Sequence, residues 1–344
     1  MVTSLLTSKA LRSKYLTSAS YKHAVSSNLK AVVISPTSGI GEGCAHRLAE
    51  QGYSVLAIGR HRPGRAKTII DELNAKSRSA QNENSALTSL PAHEFYSVDA
   101  FSLKDIHQTA QDIISKHPSI DVVVLTQGMA TTQGFTPTKE GNDEKMTLHY
   151  FSRITMANAL LPALRKSASS SNSRMKNGPV VISILSGGIH GPYDKYQEDF
   201  SVEKNYSVKN AADAAGFYND LGLDALASKE ENEGINFVHA SPGFVNTNWG
   251  SEFNVVLKCM VRMMQPFGKS PKDCAEYMLG PTVFASEVGD ALPARLDEAA
   301  GQKLFIMGEK GESESLTNLH AADVKAFVWK NTVEVLKKAG IDIE

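Results

Sequence analysis

The sequence predicts a doubly wound α/β fold: a parallel, Rossmann-type sheet with helices on both faces. Three observations predict it. Short β-rich apolar runs alternate with helical stretches along most of the chain. Most of those runs are continuous rather than alternating, which means burial on both faces, as in a parallel sheet covered on each side. A glycine-rich turn joins the first run to the first helix.

In chain order, LKAVVIS (Leu29–Ser35) reads as the first strand and GEGCAHRLAEQ as the helix after the turn. YSVLAIG (Tyr53–Gly59) is the second strand and RAKTIIDELNAK the second helix. HEFYSVD (His93–Asp99), with its two aromatics, is the third strand, followed by the helix LKDIHQTAQDIISK. IDVVVLT (Ile120–Thr126) and GPVVISILS (Gly178–Ser186) are fully apolar strands on either side of MTLHYFSRITMANALLPALRKS. A long helix covers Ala211–Gly234, and INFVHAS (Ile235–Ser241) is the sixth strand. The chain closes on ADVKAFVWKNTVEVLKKAG, an amphipathic helix with Ala326, Val328, Trp329, Val333 and Leu336 as its packing groups. SRSAQNENSALTSLPA and SASSSNSRMKNGP are polar stretches of low complexity and read as surface loops. No internal repeat or linker appears. The expected organisation is an extension over residues 1–28, a dinucleotide-binding catalytic domain over 29–310 and a helical tail over 311–344.

The 344 residues are 42% hydrophobic and 21% charged, with a formal net charge of −1. That is a soluble globular composition, with no charge excess to recruit nucleic acid or an anionic membrane. The apolar runs fall far short of a bilayer span of ~20 residues. Cys44, Cys259 and Cys274 show no paired spacing, which argues for a reducing compartment and against disulfides or a metal site. Cytoplasmic residence is expected. Residues 1–41 lack acidic groups but hold Lys9, Arg12, Lys14, Lys22 and Lys30, so a mitochondrial transit segment is the alternative to a polar N-terminal helix.

The turn AVVISPTSGIGEG carries the first functional signal. Gly39 and Gly41 allow close approach to a pyrophosphate, and the helix that starts there presents free N–H groups and a positive dipole end. The second strand ends at Arg60, followed by His61 and Arg62, where an acidic residue would select NAD. A guanidinium suits a 2′-phosphate, so NADP(H) is the expected cofactor.

Here the chain resembles the short-chain dehydrogenase/reductase family, from about Leu29 to Glu309. That family's first motif, T-G-x-x-x-G-x-G, corresponds to Ile34, Ser35, Pro36, Thr37, Ser38, Gly39, Ile40 and Gly41. The last two glycines match, and Ser35 replaces the first. Asp99 matches the adenine-contacting Asp. The N-N-A-G motif has become Leu125, Thr126, Gln127 and Gly128. SPGFVNT matches the turn whose Pro242, Gly243 and Thr247 would meet the nicotinamide.

The resemblance also implies a tetrad of Asn, Ser, Tyr and Lys. Tyr exchanges a proton with the carbonyl, Lys lowers its pKa, Ser polarises the carbonyl oxygen, and Asn anchors a water. Spacing from Pro162, as in the retinol-dehydrogenase branch, puts the Asn position at His149, and the end of strand five puts the Ser position at Ser186. Spacing from Pro242 and from Gly234 agrees on Ala212 for Tyr and Gly216 for Lys. The acid and its activator are therefore missing. Candidate replacements are His149, which titrates near neutrality, and Lys209 and Tyr206, one and two helical turns before Ala212. Tyr218 lies off that face. His190 and Tyr193 fall in the loop where the family binds substrate. In the family, the stretch holding Val255, Val256, Leu257, Met260, Val261, Met263 and Met264 forms a lid, and its apolar character suggests a lipophilic small molecule or a homodimer contact. The expected activity is carbonyl reduction or alcohol oxidation. A non-redox isomerase, cyclase or dehydratase and a silent nucleotide-binding regulator are the rivals.

Overall fold

The computed structural model describes residues 29–62, 64–83, 90–170, 175, 178–248, 250, 253, 255–280, 282, 304–314 and 320–343. The six expected strands are present as β1 (Lys30–Ile34), β2 (Ser54–Gly59), β3 (Glu94–Ser97), β4 (Val122–Leu125), β5 (Val180–Ile184) and β6 (Asn236–Ala240). Two further strands, β7 (Leu304–Met307) and β8 (Ser313–Glu314), extend the sheet. The order is β3-β2-β1-β4-β5-β6-β7-β8. All pairings are parallel except the last, where Ile306 lies opposite Glu314 in an antiparallel pair. The order reverses between β1 and β4. That is the switch point at which such sheets bind ligands beyond their carboxyl ends.

The helices are α1 (Gly39–Glu50), α2 (Arg65–Glu83), α3 (Leu103–Lys116), the single turn α4 (Glu144–Met146), α5 (Ser152–Ala168), α6 (Val208–Ala227), α7 (Val255–Met264), α8 (Pro271–Met278) and α9 (Ala322–Lys338). A π-helical stretch, Thr147–Phe151, joins α4 to α5. Two apolar cores sandwich the sheet. Val33, Val55, Ala57 and Val124 pack with Cys44, Leu48, Ile69 and Met278 from α1, α2 and α8. Val32, Ile58, Val123 and Leu125 pack on the other face with Ile106, Leu160, Leu221 and Leu336 from α3, α5, α6 and α9. Side chains alternate across each strand, and both faces are covered.

The structure corrects three expectations. The polar stretch from Ser77 is not a loop at its start, because α2 continues through it to Glu83. Ser77 is buried, its hydroxyl bonded to the Ala49 carbonyl and to His93, so a tertiary anchor overrides a polar local sequence. In the tail helix, Val328 and Leu336 are buried, Trp329 and Val333 are half-buried, and Ala326 faces solvent. The seventh strand, LFIM, was too short to stand out. The N-terminal 28 residues, and with them the targeting expectation, lie outside the described residues. No described helix is long and apolar enough to cross a membrane.

Candidate active site

At the nucleotide end, Ser35 follows β1 with φ of 61°, the left-handed region where glycine belongs. Its N–H donates to the Ile58 carbonyl at 2.8 Å. Gly41 tolerates no side chain, because a Cβ there would lie 2.2 Å from the Ser35 carbonyl oxygen and 2.5 Å from Thr126 Oγ1. At Gly39 (φ 60°) a Cβ would stand 3.1 Å from the Thr247 methyl. The glycine turn therefore faces the Pro242–Thr247 segment across the end of the sheet. Gly243 also has positive φ, 63°, with the Glu309 side chain packed against its α-carbon. Ser38 caps α1 in an extended conformation and its side chain accepts no bond from the helix, while Ile40 is half-buried in the first turn. Arg65, which sequence reasoning passed over, donates to the Thr37 carbonyl at 2.6 Å and to Glu42 at 2.7 Å, tying the turn to α1. Arg60 is exposed and shares an open cleft of about 660 Å³ with His61, Val98 and Asp99. Asp99 is held by the Phe101 N–H at 3.1 Å. This set of groups fits a dinucleotide laid from the Arg60–Asp99 cleft, over the first turn of α1, to Thr247.

At the catalytic end, Ser186 Oγ is buried and has no hydrogen-bond partner. It lies against α6 at Gly216, where an added Cβ would stand 2.5 Å from that oxygen and 2.5 Å from His190 Cγ. His149 sits in the π-helical stretch beneath Gly128, whose missing Cβ would come within 3.1 Å of His149 Nε2. That nitrogen accepts the Met129 N–H at 3.0 Å. Burial, then Arg153 and Lys145, push the His149 pKa down to about 3. A ring that accepts a backbone N–H and stays neutral does not deliver protons near neutral pH, so the expectation drawn from its ordinary pKa fails. Lys209 points to solvent, its side chain 81% exposed, and pairs with Asp213 at 2.5 Å. Tyr206 is half-buried and accepts from Lys145 Nζ at 3.0 Å, and burial, then Asp143, raise its pKa to about 12. Tyr193 is 3% exposed and donates to Asp199 at 3.1 Å, so its hydroxyl serves its own loop. Tyr218 is buried and donates to the Phe200 carbonyl at 3.3 Å. Ala212, in the first turns of α6, is exposed.

The family model for short chain dehydrogenases matches residues 30–182. Over that segment the chain is similar to the short-chain dehydrogenase/reductase family. An oxidoreductase of Emericella nidulans is 24% identical over 335 residues, 91% of this chain and 94% of that protein. An NmrA-like family domain-containing oxidoreductase, notO, of an Aspergillus species is 26% identical over 222 residues, 64% of this chain and 61% of that protein. The chain thus matches less than two thirds of the Aspergillus protein's length. Among solved structures, a short chain dehydrogenase of Shigella flexneri complexed with NADP aligns with a TM-score of 0.51 and 16% identity, over 77% of this chain and 93% of that one. At that identity the likeness concerns the fold alone.

The likeness accounts for the sheet, and folds of this kind bind NAD(P) at the switch point. A buried polar layer behind Ser186 comes from residues that motif spacing did not single out. Arg153 is 1% exposed and donates to the Leu125, Gln127 and Ile184 carbonyls and to Ser183 Oγ. Burial lowers its pKa to about 9. Ser183 donates to Asn219 Oδ1, and Asn219 Nδ2 donates to the His149 carbonyl at 2.7 Å, spanning the π-helical stretch. His239 Nε2 accepts the Ser186 N–H at 3.2 Å, while its Nδ1–H donates to Asp220 Oδ1 at 2.5 Å. Asp220 Oδ2 also receives His190 at 2.8 Å and His320 at 2.9 Å. His190, Asp220 and His239 have the residue types of a cation site. The tautomer of His239, with its proton on Nδ1, makes that nitrogen a donor to Asp220 rather than a free lone pair. In the sequence only His190 stood out, by its loop; Asp220, His239 and His320 lie outside any motif, and only the fold brings the four together.

Proposed function

We propose that this protein is an NADP-preferring reductase of a carbonyl group, or a dehydrogenase of the corresponding alcohol, on a small lipophilic molecule, with the family's Asn-Ser-Tyr-Lys tetrad reduced to its serine. The observation that carries the reading is Ser186. Its hydroxyl is buried, has no partner, and lies at the carboxyl end of β5, beyond the strand next to the switch point. A buried hydroxyl without a partner costs free energy unless a ligand completes it. A substrate carbonyl oxygen is such a ligand. The nicotinamide, when bound, supplies the hydride. The chain's own residues orient the reactants: Gly39 and Gly41 admit the pyrophosphate, Thr247 meets the carboxamide, and Ser186 holds the carbonyl oxygen.

The preference for NADP rests on Arg60, exposed in one cleft with Asp99. The lipophilic substrate rests on α7 and the turn after it, where Val255, Met263 and Phe267 are 77%, 69% and 89% exposed. An apolar face of this kind also suits a second copy of the chain. The test is stoichiometric oxidation of NADPH against a panel of aliphatic and aromatic aldehydes and ketones, with Ser186→Ala as the control. Turnover without NADPH loss would assign the pocket to an isomerisation or dehydration. Tight NADPH binding with no turnover on any carbonyl would leave a nucleotide-binding regulator.

A further inference from the structure

Both ring nitrogens of His190 face acceptors. Nε2 lies 2.8 Å from Asp220 Oδ2, and Nδ1 lies 3.0 Å from the Gly191 carbonyl oxygen. A neutral imidazole carries one N–H, whereas an imidazolium carries two. The ring satisfies both acceptors only when it is charged. Its side chain is 7% exposed, so the ring itself is largely out of water. The ring also occupies a defined place: with Ser186 Oγ, it fills the space where a side chain on Gly216 would leave α6. By the spacing from Pro242 and from Gly234, Gly216 is where the family carries its lysine. We propose that His190 is the fixed cation of this active site, taking the place of the absent lysine, and that it acts on the substrate through Ser186. The inference rests on the carbonyl-reductase reading above.

The surroundings agree on where the charge sits. From α6, Asp220 and Asp213 face the ring, with Asp213 Oδ1 also accepting the Gly191 N–H. From β6, His239 stacks on it at 5.9 Å and stays neutral, since its Nε2 accepts from Ser186 and burial holds its pKa down. His320, just before α9, reaches the same Asp220 oxygen. Arg153 is a further buried cation close enough to weigh on His239. Burial opposes charge on His190, but Asp220, the Gly191 carbonyl and Asp213 together raise its pKa.

In the reduction, the hydride pair forms the new C–H bond at the carbonyl carbon, and the C=O π pair moves onto oxygen. That oxygen then takes a proton from water, because both His190 protons stay on their acceptors. Negative charge therefore develops on an atom held by Ser186, beside a preformed cation, which stabilises it without having to reorganise. His190 is a positioning residue in this scheme.

The test has two independent readouts. The first is ¹⁵N NMR of the histidine side chains in the intact protein at pH 7.5, assigned by His190→Gln. The expected result is protons on both His190 nitrogens; a neutral ring overturns the inference whatever the activity. The second is carbonyl reduction. His190→Ala should lower kcat about tenfold or more with KM little changed. The unmutated enzyme should lose kcat as pH rises through the His190 pKa. His190→Lys, which keeps a cation at that place without adding a side chain at Gly216, should retain most of kcat while moving the alkaline limb up toward the lysine range near ~10. His190→Ala with kcat and pH profile unchanged overturns the inference, as does a folded, NADPH-binding His190→Lys variant as slow as His190→Ala. A doubly protonated His190 in a protein that reduces no carbonyl overturns the reductase reading, and this inference with it.

Discussion

Ser35 shows how much one backbone angle decides at the residue scale. With φ of 61°, it bears strain that glycine would not. Ser35→Gly is expected to raise stability by up to about 1 kcal/mol in urea unfolding and to leave NADPH affinity equal or tighter. A severalfold loss of affinity would mean that the hydroxyl itself holds the phosphate. Arg60, exposed in the cleft with Asp99, supports a second prediction. A charge-assisted contact to the 2′-phosphate contributes about 1.5–3 kcal/mol. Arg60→Asp should therefore weaken NADPH about tenfold or more and leave NADH nearly unchanged, read by fluorescence titration of both. Equal affinity of the unmutated protein for the two cofactors would refute the assignment. The residues with positional signatures, Gly39, Gly41, Arg60, Asp99 and Ser186, were legible in the sequence because glycine conformation and strand ends constrain them locally. Arg153, Asn219, Asp220 and His239 were not. Their roles arise from contacts between β4, β5, β6, α5 and α6, which no local pattern encodes.

At the scale of elements, α6 carries the most consequence. Its N-cap Ser207 accepts from the Asn210 N–H, which fixes the helix start three residues before the expected Ala211. Within it, Gly216 costs helix propensity of up to ~1 kcal/mol, yet its missing Cβ makes room for Ser186 and His190. A Cβ at 2.5 Å from both cannot be absorbed without moving one of them. Gly216→Ala should accordingly destabilise by about 1–3 kcal/mol, against the direction propensity alone gives. The pair Ala212→Tyr with Gly216→Lys, in an otherwise unmutated chain, should lower turnover rather than rebuild the family's site. Thermal unfolding and steady-state kinetics check the two statements. A double variant that gains about tenfold in turnover would show a site that had simply decayed. The helix itself was legible from its length and apolar content. The crowding at Gly216 was not, since it depends on a loop, Gly187–Gly191, folding back over the helix.

At the scale of the whole molecule, the parallel sheet was readable because continuous Val- and Ile-rich runs have one physical meaning, burial on both faces. The short β7 and β8 were missed because four and two residues carry no period. Histidines distributed over that sheet also set how stability depends on pH. His93 Nδ1 accepts the Val55 N–H at 3.1 Å, which joins the start of β3 to β2. His149 Nε2 accepts the Met129 N–H at 3.0 Å. Both lone pairs are in use, and burial depresses the two pKa values to about 4 and about 3. The unfolded chain, with histidines near ~6.5, binds more protons than the folded one below that pH. Stability therefore falls as pH drops from about 6.5 toward 4, with a slope of up to ~1.4 kcal/mol per pH unit for each histidine. His190 has the opposite sign: its raised folded pKa contributes stability that is full below its unfolded pKa and is lost as pH rises through the folded one. Maximum stability should lie near neutrality, with losses on both sides. Urea unfolding at intervals from pH 5 to 9 measures the curve. His93→Gln and His149→Asn should each flatten its acid limb, and His190→Gln its alkaline limb. An acid limb that keeps its slope in both the His93 and His149 variants would mean that carboxylates, not these histidines, carry the acid sensitivity.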